Sequence, residues 1–103
     1  MQRRILVSFM DRSIRIKVVL KQPYNQWFIQ HEYSIEIPFG STVGSAFEAL
    51  IKREGMQDLL VAKGAFVSGK LRALYTVNGT AEKANFTLHD NDILQVIGLF
   101  IGG

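Results

Sequence analysis

Hydrophobic and polar residues alternate along two stretches in the first part of this chain. Residues 14–20 read Ile-Arg-Ile-Lys-Val-Val-Leu, which is typical of a strand with one buried face. Residues 31–38 alternate in the same way and place three apolar side chains on one face: Tyr33, Ile35 and Ile37. Pro38 cannot donate a ladder hydrogen bond and ends this run. The pattern therefore predicts two half-buried strands.

After Gly40 the spacing of the apolar residues changes from that of a strand to that of a helix. Five apolar residues recur at spacings of three and four and form one stripe: Val43, Ala46, Phe47, Leu50 and Ile51. Thr42 is the expected N-cap, although Ser45 and Glu48 also fit the spacing of a capping box. Gly55 suits the position that follows a helix C-cap. The sequence thus predicts one main amphipathic helix.

The second half of the chain predicts shorter elements. Residues 56–62 allow a second short helix, and residues 71–77 and 93–97 read as strands. Asn78-Gly79 is the strongest turn signal, because both residues tolerate a positive φ angle. Two further segments are predicted to lack strands, namely a connection over residues 80–87 and a turn over residues 88–92.

Two stretches leave alternatives open. Residues 3–10 are apolar and extended, either paired as a hairpin with the next strand or separate as an arm. Residues 22–30 are interpreted as a loop whose Trp27 or Phe28 folds back against the body. An exposed aromatic loop that serves as a docking surface is the alternative.

The order of these elements predicts an α+β fold of the β-grasp type, in which a mixed sheet holds one main helix. A crossover through the helix lets the last strand lie parallel to the first, in the centre of the sheet. The chain of 103 residues suffices for one core, and 48% hydrophobic with 20% charged residues is usual for a globular protein. We expect one domain over residues 1–103 with a Gly-Gly tail.

Charge is unevenly distributed in a chain of net charge +3. Residues 1–21 carry a balance of +5, but their cations alternate with apolar residues, as on the solvent face of a sheet. We therefore expect no nucleic-acid partner. The apolar run that follows Arg3 and Arg4 is too short for a signal peptide, and no run reaches the length of a membrane span. A cytoplasmic protein without a membrane partner is expected.

Candidate catalytic and metal-binding side chains are few. The chain has no cysteine, which excludes disulfides, thiolate metal sites and thiol nucleophiles. His31 and His89 are far apart and fit no metal-ligand spacing, so no metal site is predicted. Asp90 and Asp92 are candidates for an acid and a base, but their place in a turn favours a structural role. These residues indicate a protein that is not itself an enzyme.

The sequence ends in Leu99-Phe100-Ile101-Gly102-Gly103. Two glycines lack side chains, so they fit a narrow channel in which a partner enzyme activates the terminal carboxylate. We expect Gly103 to react, Gly102 to make room, and the three apolar residues before them to be exposed until a partner buries them. The alternative is a tail that carries glycine by chance.

These features together resemble the ubiquitin-like sulfur carriers, namely the small subunit of molybdopterin synthase and the thiamine-biosynthesis sulfur carrier. The resemblance covers roughly residues 14–103 and rests on five motifs: strand 14–20, Thr42-Val43 with Leu50, Val77-Asn78-Gly79, segment 88–93 and Gly102-Gly103. The families usually have Asp-Gly-Asp where this chain has Asp90-Asn91-Asp92, and asparagine also accepts a left-handed conformation. Residues 97–101 lack the prolines that are common in the molybdopterin branch.

The resemblance implies a carrier. An E1-like enzyme would use ATP to adenylate the Gly103 carboxylate, and a sulfur donor would convert the adenylate to a thiocarboxylate for a synthase in molybdopterin or thiamine biosynthesis. The chain would bind no cofactor itself, since the ATP belongs to the partner enzyme. One alternative is a protein modifier, whose adenylate passes to a lysine of a target protein. Another is a ubiquitin-like interaction domain whose Gly-Gly end is idle.

Overall fold

The computed structural model describes residues 12–99, which form a five-stranded mixed sheet against one main helix. The described strands are β1 Ser13–Leu20, β2 Glu32–Pro38, β3 Phe66–Val67, β4 Lys70–Leu71, β5 Ala73–Val77, β6 Thr80–Glu82 and β7 Ile93–Gly98. The described helices are α1 Tyr24–Trp27, α2 Val43–Arg53 and α3 Gln57–Ala62. The predicted α+β architecture of the β-grasp type is confirmed.

Strand β7 lies in the middle of the main sheet, whose order is β2-β1-β7-β5-β6. It pairs in parallel with β1, with Val18 opposite Leu94, and antiparallel with β5. Strands β1 and β2 form an antiparallel pair, while β3 and β4 form a separate two-stranded sheet. The predicted parallel contact between the first and last strands of the sheet is therefore confirmed, and β7 has a hydrogen-bonded neighbour on each side.

The core lies between one face of the sheet and α2. All five residues of the predicted helical stripe are buried, as are Tyr33, Ile35 and Ile37 of β2. Phe47 is at its centre and is fully buried. The ring centroid of Phe47 is 5.4 Å from that of Tyr24, 6.1 Å from that of Phe28 and 6.5 Å from that of Tyr75. Residues distant in sequence thus join one aromatic cluster.

Helix α2 begins and ends at the predicted residues. The Ser45 amide donates to Thr42 Oγ1 at 3.2 Å, and the Thr42 amide donates to Ser45 Oγ at 2.9 Å. This reciprocal capping box lies one turn before the Ser45–Glu48 alternative. At the other end, Gly55 follows the C-cap with φ of 66°, a left-handed angle that suits glycine.

The turn before β7 is held by two aspartates. Asp92 accepts the His89 amide at 2.7 Å and the Asn78 side-chain amide at 2.8 Å, while Asp90 accepts the Arg15 amide at 2.8 Å. Asn91 has φ of 70°, the left-handed angle that the sequence predicted for this turn. Both carboxylates therefore accept hydrogen bonds that hold the turn in place, which is the structural role that the sequence favoured.

Three sequence-based predictions need correction. Residues 22–30 are not only a loop, because they contain the short helix α1. The aromatic residues of this segment do fold back as expected, since Phe28 is buried and Trp27 packs against the core. Residues 80–87 contain β6, which pairs with β5. The strand predicted over residues 71–77 is divided at Arg72, whose amide donates at 2.8 Å to the carbonyl of Ala65, just outside the smaller sheet.

Two further observations concern the ends of the chain and its helices. The extended segment predicted at residues 3–10 lies outside the described residues. Within residues 12–99, no helix is both long and apolar enough to cross a lipid bilayer.

Candidate functional site: the end of strand β7 and the open face of the sheet

The end of β7 is held by hydrogen bonds on both sides. The amide of Gly98, the last residue of the strand, donates to the Gln22 carbonyl at 3.0 Å. The Leu99 amide donates to the Arg72 carbonyl, also at 3.0 Å. The direction in which the backbone leaves the sheet is therefore fixed by two segments that are remote from it in sequence.

The Arg72 carbonyl also accepts a hydrogen bond from the core. The Tyr24 hydroxyl, on the fully buried Tyr24 side chain, donates to it at 3.1 Å. Burial raises the pKa of Tyr24 to about 12; the nearby Tyr75 also raises it, and the Arg72 cation opposes the shift. The phenol is therefore neutral and a hydrogen-bond donor at physiological pH, so α1 supports the end of β7.

On the sheet face turned away from α2, β5 and β7 carry exposed apolar side chains together with one polar cross-strand pair, Thr76 with Gln95. Leu74 and Ile97 are cross-strand partners there, and Leu74 is 46% exposed. Ile93 lies on the same face, and Leu99, which is 49% exposed, continues the alternation beyond the strand. Ile93 is at the start of β7 and is separated from the others by the Thr76–Gln95 pair, so we call Leu74, Ile97 and Leu99 the open apolar patch. It places exposed apolar area directly beside the end of β7.

The other half of this face is ionic. Arg15 pairs with Glu36 at 3.4 Å and Lys17 with Glu32 at 3.3 Å, both between β1 and β2. These exposed pairs add little stability, but they satisfy the charges across the strands. The cations of β1 therefore lie on the solvent face, as their alternation predicted, and the apolar half of the face is distinct from the charged half.

The structure reaches only one of the five residues predicted to form the site. Leu99 is described, whereas Phe100, Ile101, Gly102 and Gly103 lie outside the described residues. Their roles remain predictions. In the part of the chain that the structure describes, no group of three or more His, Asp or Glu side chains could hold a metal ion.

The sequence interpretation missed the patch and the support beneath it. The period of two in residues 73–77 and 93–97 could have identified Leu74 and Ile97 as side chains on the face opposite the core. No local pattern marks the contact of Tyr24 with Arg72, because it joins residues 48 positions apart.

Solved structures with the same architecture come from several organisms. SAMP1 from Haloferax volcanii superposes with a TM-score of 0.70 at 19% identity, covering 86% of this chain and 99% of that chain. A candidate subunit 1 of molybdopterin converting factor from Pyrococcus furiosus gives 0.64 at 23% identity, with coverages of 82% and 97%. Small archaeal modifier protein 1 from Methanosarcina acetivorans gives 0.64 at 19% identity, with coverages of 89% and 99%.

No protein-family model and no curated protein sequence matches the chain. Identities of 15–23% to the solved structures establish a shared fold rather than a shared activity. The chain therefore has the ubiquitin-like β-grasp fold that these solved structures share.

Proposed function

We propose that this protein is a sulfur carrier whose Gly103 carboxylate is activated by an E1-like enzyme. A carboxylate oxygen attacks the α-phosphate of ATP, and pyrophosphate leaves. A sulfur donor then displaces AMP from the acyl adenylate and leaves a thiocarboxylate on Gly103. Adenylation is needed because a free carboxylate is a poor electrophile, whereas AMP is a good leaving group.

The observation that carries this proposal is the hydrogen-bonded end of β7. The Leu99 amide is bound to the Arg72 carbonyl at 3.0 Å, so a rigid sheet carries the tail. Four residues follow Leu99 and span at most about 13–14 Å when extended. A partner that contacts the body at this end can therefore receive Gly103 in an active site that lies within that distance.

The open apolar patch supports the same proposal. It offers the partner an apolar contact at the base of the tail, and buried apolar anchors dominate the energy of many interfaces. In this proposal Leu99, Phe100 and Ile101 bind the partner, Gly102 leaves room in its channel, and Gly103 reacts. Two partners follow: the activating enzyme and a synthase that accepts the sulfur in molybdopterin or thiamine biosynthesis.

The proposed chemistry needs no cofactor held by this chain, since the activating enzyme binds the ATP. Because ATP is consumed, we expect the protein to act in the cytoplasm, as one domain over residues 1–103. The fold match to a candidate subunit of molybdopterin converting factor supports the carrier role.

The second candidate is a protein modifier. Its support is the fold match to small archaeal modifier protein 1 from Haloferax volcanii and from Methanosarcina acetivorans. Activation is the same, but a lysine amine of a target protein displaces AMP and forms an isopeptide bond. An interaction domain that makes no covalent product is the third candidate.

Deletion of Gly103 tests the activation step. The deletion shortens the reach of the tail by about 3.3–3.6 Å, and misplacement of reacting groups by about 1 Å can reduce a rate about 100-fold. We expect pyrophosphate exchange by the E1-like enzyme of the same host to fall by at least that factor. Thermal unfolding of the variant serves as the control for folding. Exchange at the full-length rate would leave the interaction domain as the remaining candidate.

Intact-mass analysis of the protein purified from its native host separates carrier from modifier. Replacement of one terminal oxygen by sulfur supports the carrier. Conjugates joined to target lysines through Gly103, with no thiocarboxylate, support the modifier.

A further inference from the structure

Strand β6 does not extend along the whole of β5, and part of one edge of β5 is left without a neighbour. The last residue of β6 that pairs is Glu82, opposite Tyr75. The chain then turns towards α2, where the Ala84 carbonyl accepts the Gly44 amide at 2.8 Å. In the part of the chain that the structure describes, Ala73 therefore has a neighbouring strand on the β7 side only.

The backbone of Ala73 points away from β7. Successive residues of a strand direct their amide and carbonyl groups to opposite edges. The Asn78 amide and the Arg72 carbonyl, at the two ends of β5, both bond to the chain of β7 and its continuation. Ala73 lies an odd number of residues from each of them, so its amide and carbonyl face the unpaired edge. A free strand edge of this kind is a template on which a further strand can form.

A groove of about 500 Å³ lies along this edge. Its walls come from α2, from the β3–β4 hairpin and from residues around the β5–β6 pair. The apolar part of its lining includes Phe66, Leu71, Ala73 and Ala84. We call this recess the β5 groove. It combines apolar side chains with a backbone edge that is open to pairing.

Tyr75 lines the β5 groove and has an unused hydroxyl. Only 7% of this residue is exposed, yet no hydrogen bond joins its hydroxyl to any residue that the structure describes. The hydroxyls of the other two tyrosines both have partners, since Tyr24 donates to Arg72 and Tyr33 accepts from Gln30. Buried polar groups are generally hydrogen-bonded, so an exception at the wall of a groove indicates a ligand.

The phenol of Tyr75 is a hydrogen-bond donor at neutral pH. Burial raises the pKa of Tyr75, and the nearby carboxylate of Glu48, which lines the same groove, raises it further. The hydroxyl therefore keeps its proton and can donate it to an acceptor that enters the groove.

Charged residues of both signs line the β5 groove, namely Glu48, Lys70, Glu82 and Lys83. Among the described residues, none of the four belongs to an ion pair. Two acids and two bases give no net charge, so the lining does not favour a nucleic-acid backbone. An apolar recess with polar groups of both signs is typical of a surface that binds protein.

We propose that the β5 groove binds an extended peptide segment of another protein, which adds to β5 as a strand opposite Ala73. The chain's own tail is a poorer occupant, because Leu99 bonds to Arg72 on the β7 side of β5. Paired residues share a face of the sheet, so the residue opposite Ala73 directs its side chain to the face that carries Tyr75. That side chain has an apolar stem and accepts the Tyr75 hydroxyl at its tip, as glutamine does. This site is separate from Gly103 and goes beyond the proposed function.

The test begins with a random heptapeptide library displayed on phage and selected on the full-length protein. The most enriched peptide is synthesised, and its affinity is measured by isothermal titration calorimetry. We expect Tyr75→Phe to weaken binding about five- to tenfold, because it removes one hydrogen bond and keeps the ring. Tyr33→Phe, which also removes the hydroxyl of a buried tyrosine, is the matched control and should bind as wild type does.

Amide exchange shows where the peptide binds. In the free protein the Ala73 amide should exchange faster than that of Tyr75, which lies within the β5–β6 pair. Saturating peptide should slow exchange at Ala73 about fivefold or more, since the amide gains a hydrogen bond. Urea unfolding is the control for folding. Tyr75→Phe should unfold at the same urea concentration as wild type, because its hydroxyl has no partner in the protein to lose.

Four outcomes would overturn the inference. They are a selection that enriches no peptide, equal affinities of Tyr75→Phe and wild type, a bound peptide that leaves exchange at Ala73 unchanged, and protection of Ala73 by a single-stranded RNA of mixed sequence but not by the peptide. A rise of about tenfold in peptide affinity on deletion of residues 100–103 would also overturn it, because the tail would then be the occupant. None of these measurements involves pyrophosphate exchange, so this inference and the proposed function fail separately.

Discussion

The Leu99 amide donates a 3.0 Å hydrogen bond to the Arg72 carbonyl, one residue beyond the last pair of β5 and β7, Ala73 with Gly98. The same carbonyl accepts the Tyr24 hydroxyl at 3.1 Å. One oxygen thus joins the end of the central strand, the corner before β5 and helix α1. The stability of that corner should decide how firmly the tail is presented.

The substitution Tyr24→Phe tests how much the hydrogen bond from Tyr24 to the Arg72 carbonyl stabilises the end of β7. The substitution keeps the buried ring but removes the donor to Arg72, whose carbonyl retains the Leu99 amide. Because a typical hydrogen bond contributes about 1 kcal/mol, we expect the free energy of unfolding to fall by about that amount. Amide exchange of Leu99 should quicken in the variant. A variant with unchanged stability and unchanged exchange would show that the corner does not depend on the phenol.

The same variant has a signature in alkaline solution. The folded pKa of Tyr24 is about 12 against an ordinary value of 10.0, and the pKa of Tyr75 is also raised, chiefly by burial. Stability from these raised values is fully present below pH 10 and is lost as pH rises towards the folded pKa. Urea unfolding over this range should show a steeper loss in wild type than in Tyr24→Phe. Equal slopes would contradict the assignment, since the two proteins differ only in the Tyr24 hydroxyl.

Phe47→Ala should test the aromatic cluster. Phe47 is fully buried against three other rings, so its truncation leaves a cavity. The expected loss is about 3–5 kcal/mol in chemical denaturation. Val61→Ala, at a side chain that is 57% exposed on α3, is the matched control and should change stability by about 0.5 kcal/mol or less. If Phe47→Ala lost no more stability than the control, Phe47 would not lie on the buried face of α2.

Leu74→Gln separates docking from folding on the open apolar patch. Leu74 is 46% exposed, so we expect its replacement to cost less than about 1 kcal/mol of stability. If the activating enzyme covers the patch, affinity should fall about tenfold or more. Val67→Gln, 54% exposed in the β3–β4 hairpin, is the control and should bind as wild type does. Equal affinities of the two variants would place the docking surface elsewhere.

Asn91 should respond differently to substitution by valine and by glycine. Its φ of 70° is left-handed, a conformation that β-branched residues tolerate poorly. Asn91→Val should therefore lower stability by about 1–2 kcal/mol, whereas Asn91→Gly should leave it nearly unchanged. Thermal unfolding distinguishes them. A valine variant as stable as the glycine variant would show that the turn can adopt another backbone path.

Much of the fold was predictable because it depends on local periodicity. A period of two identified β1 and β2 and their buried faces, and the period of 3.6 identified the buried stripe of α2. Thr42 and Gly55 marked the ends of that helix because capping is chemistry within a single turn. The order of the elements then left few arrangements in which the sheet could close over the helix.

The shortest elements, those of two to four residues, were not predictable. Strand β6 has three residues, the β3 and β4 strands have two each, and α1 has four. Segments of this length have too little intrinsic preference to form alone, so the neighbours against which they pack decide their conformation.

The sequence by itself determined which faces are buried, where α2 ends, where it begins to within one turn, and that a glycine pair follows the last strand. Only the tertiary structure decided how that strand ends. Gln22, Arg72 and Tyr24 reach the end of β7 from separate parts of the chain, and their hydrogen bonds there exist only after the sheet has closed. The open apolar patch has the same origin, since pairing in the sheet brings together Leu74 and Ile97, which no local pattern connects.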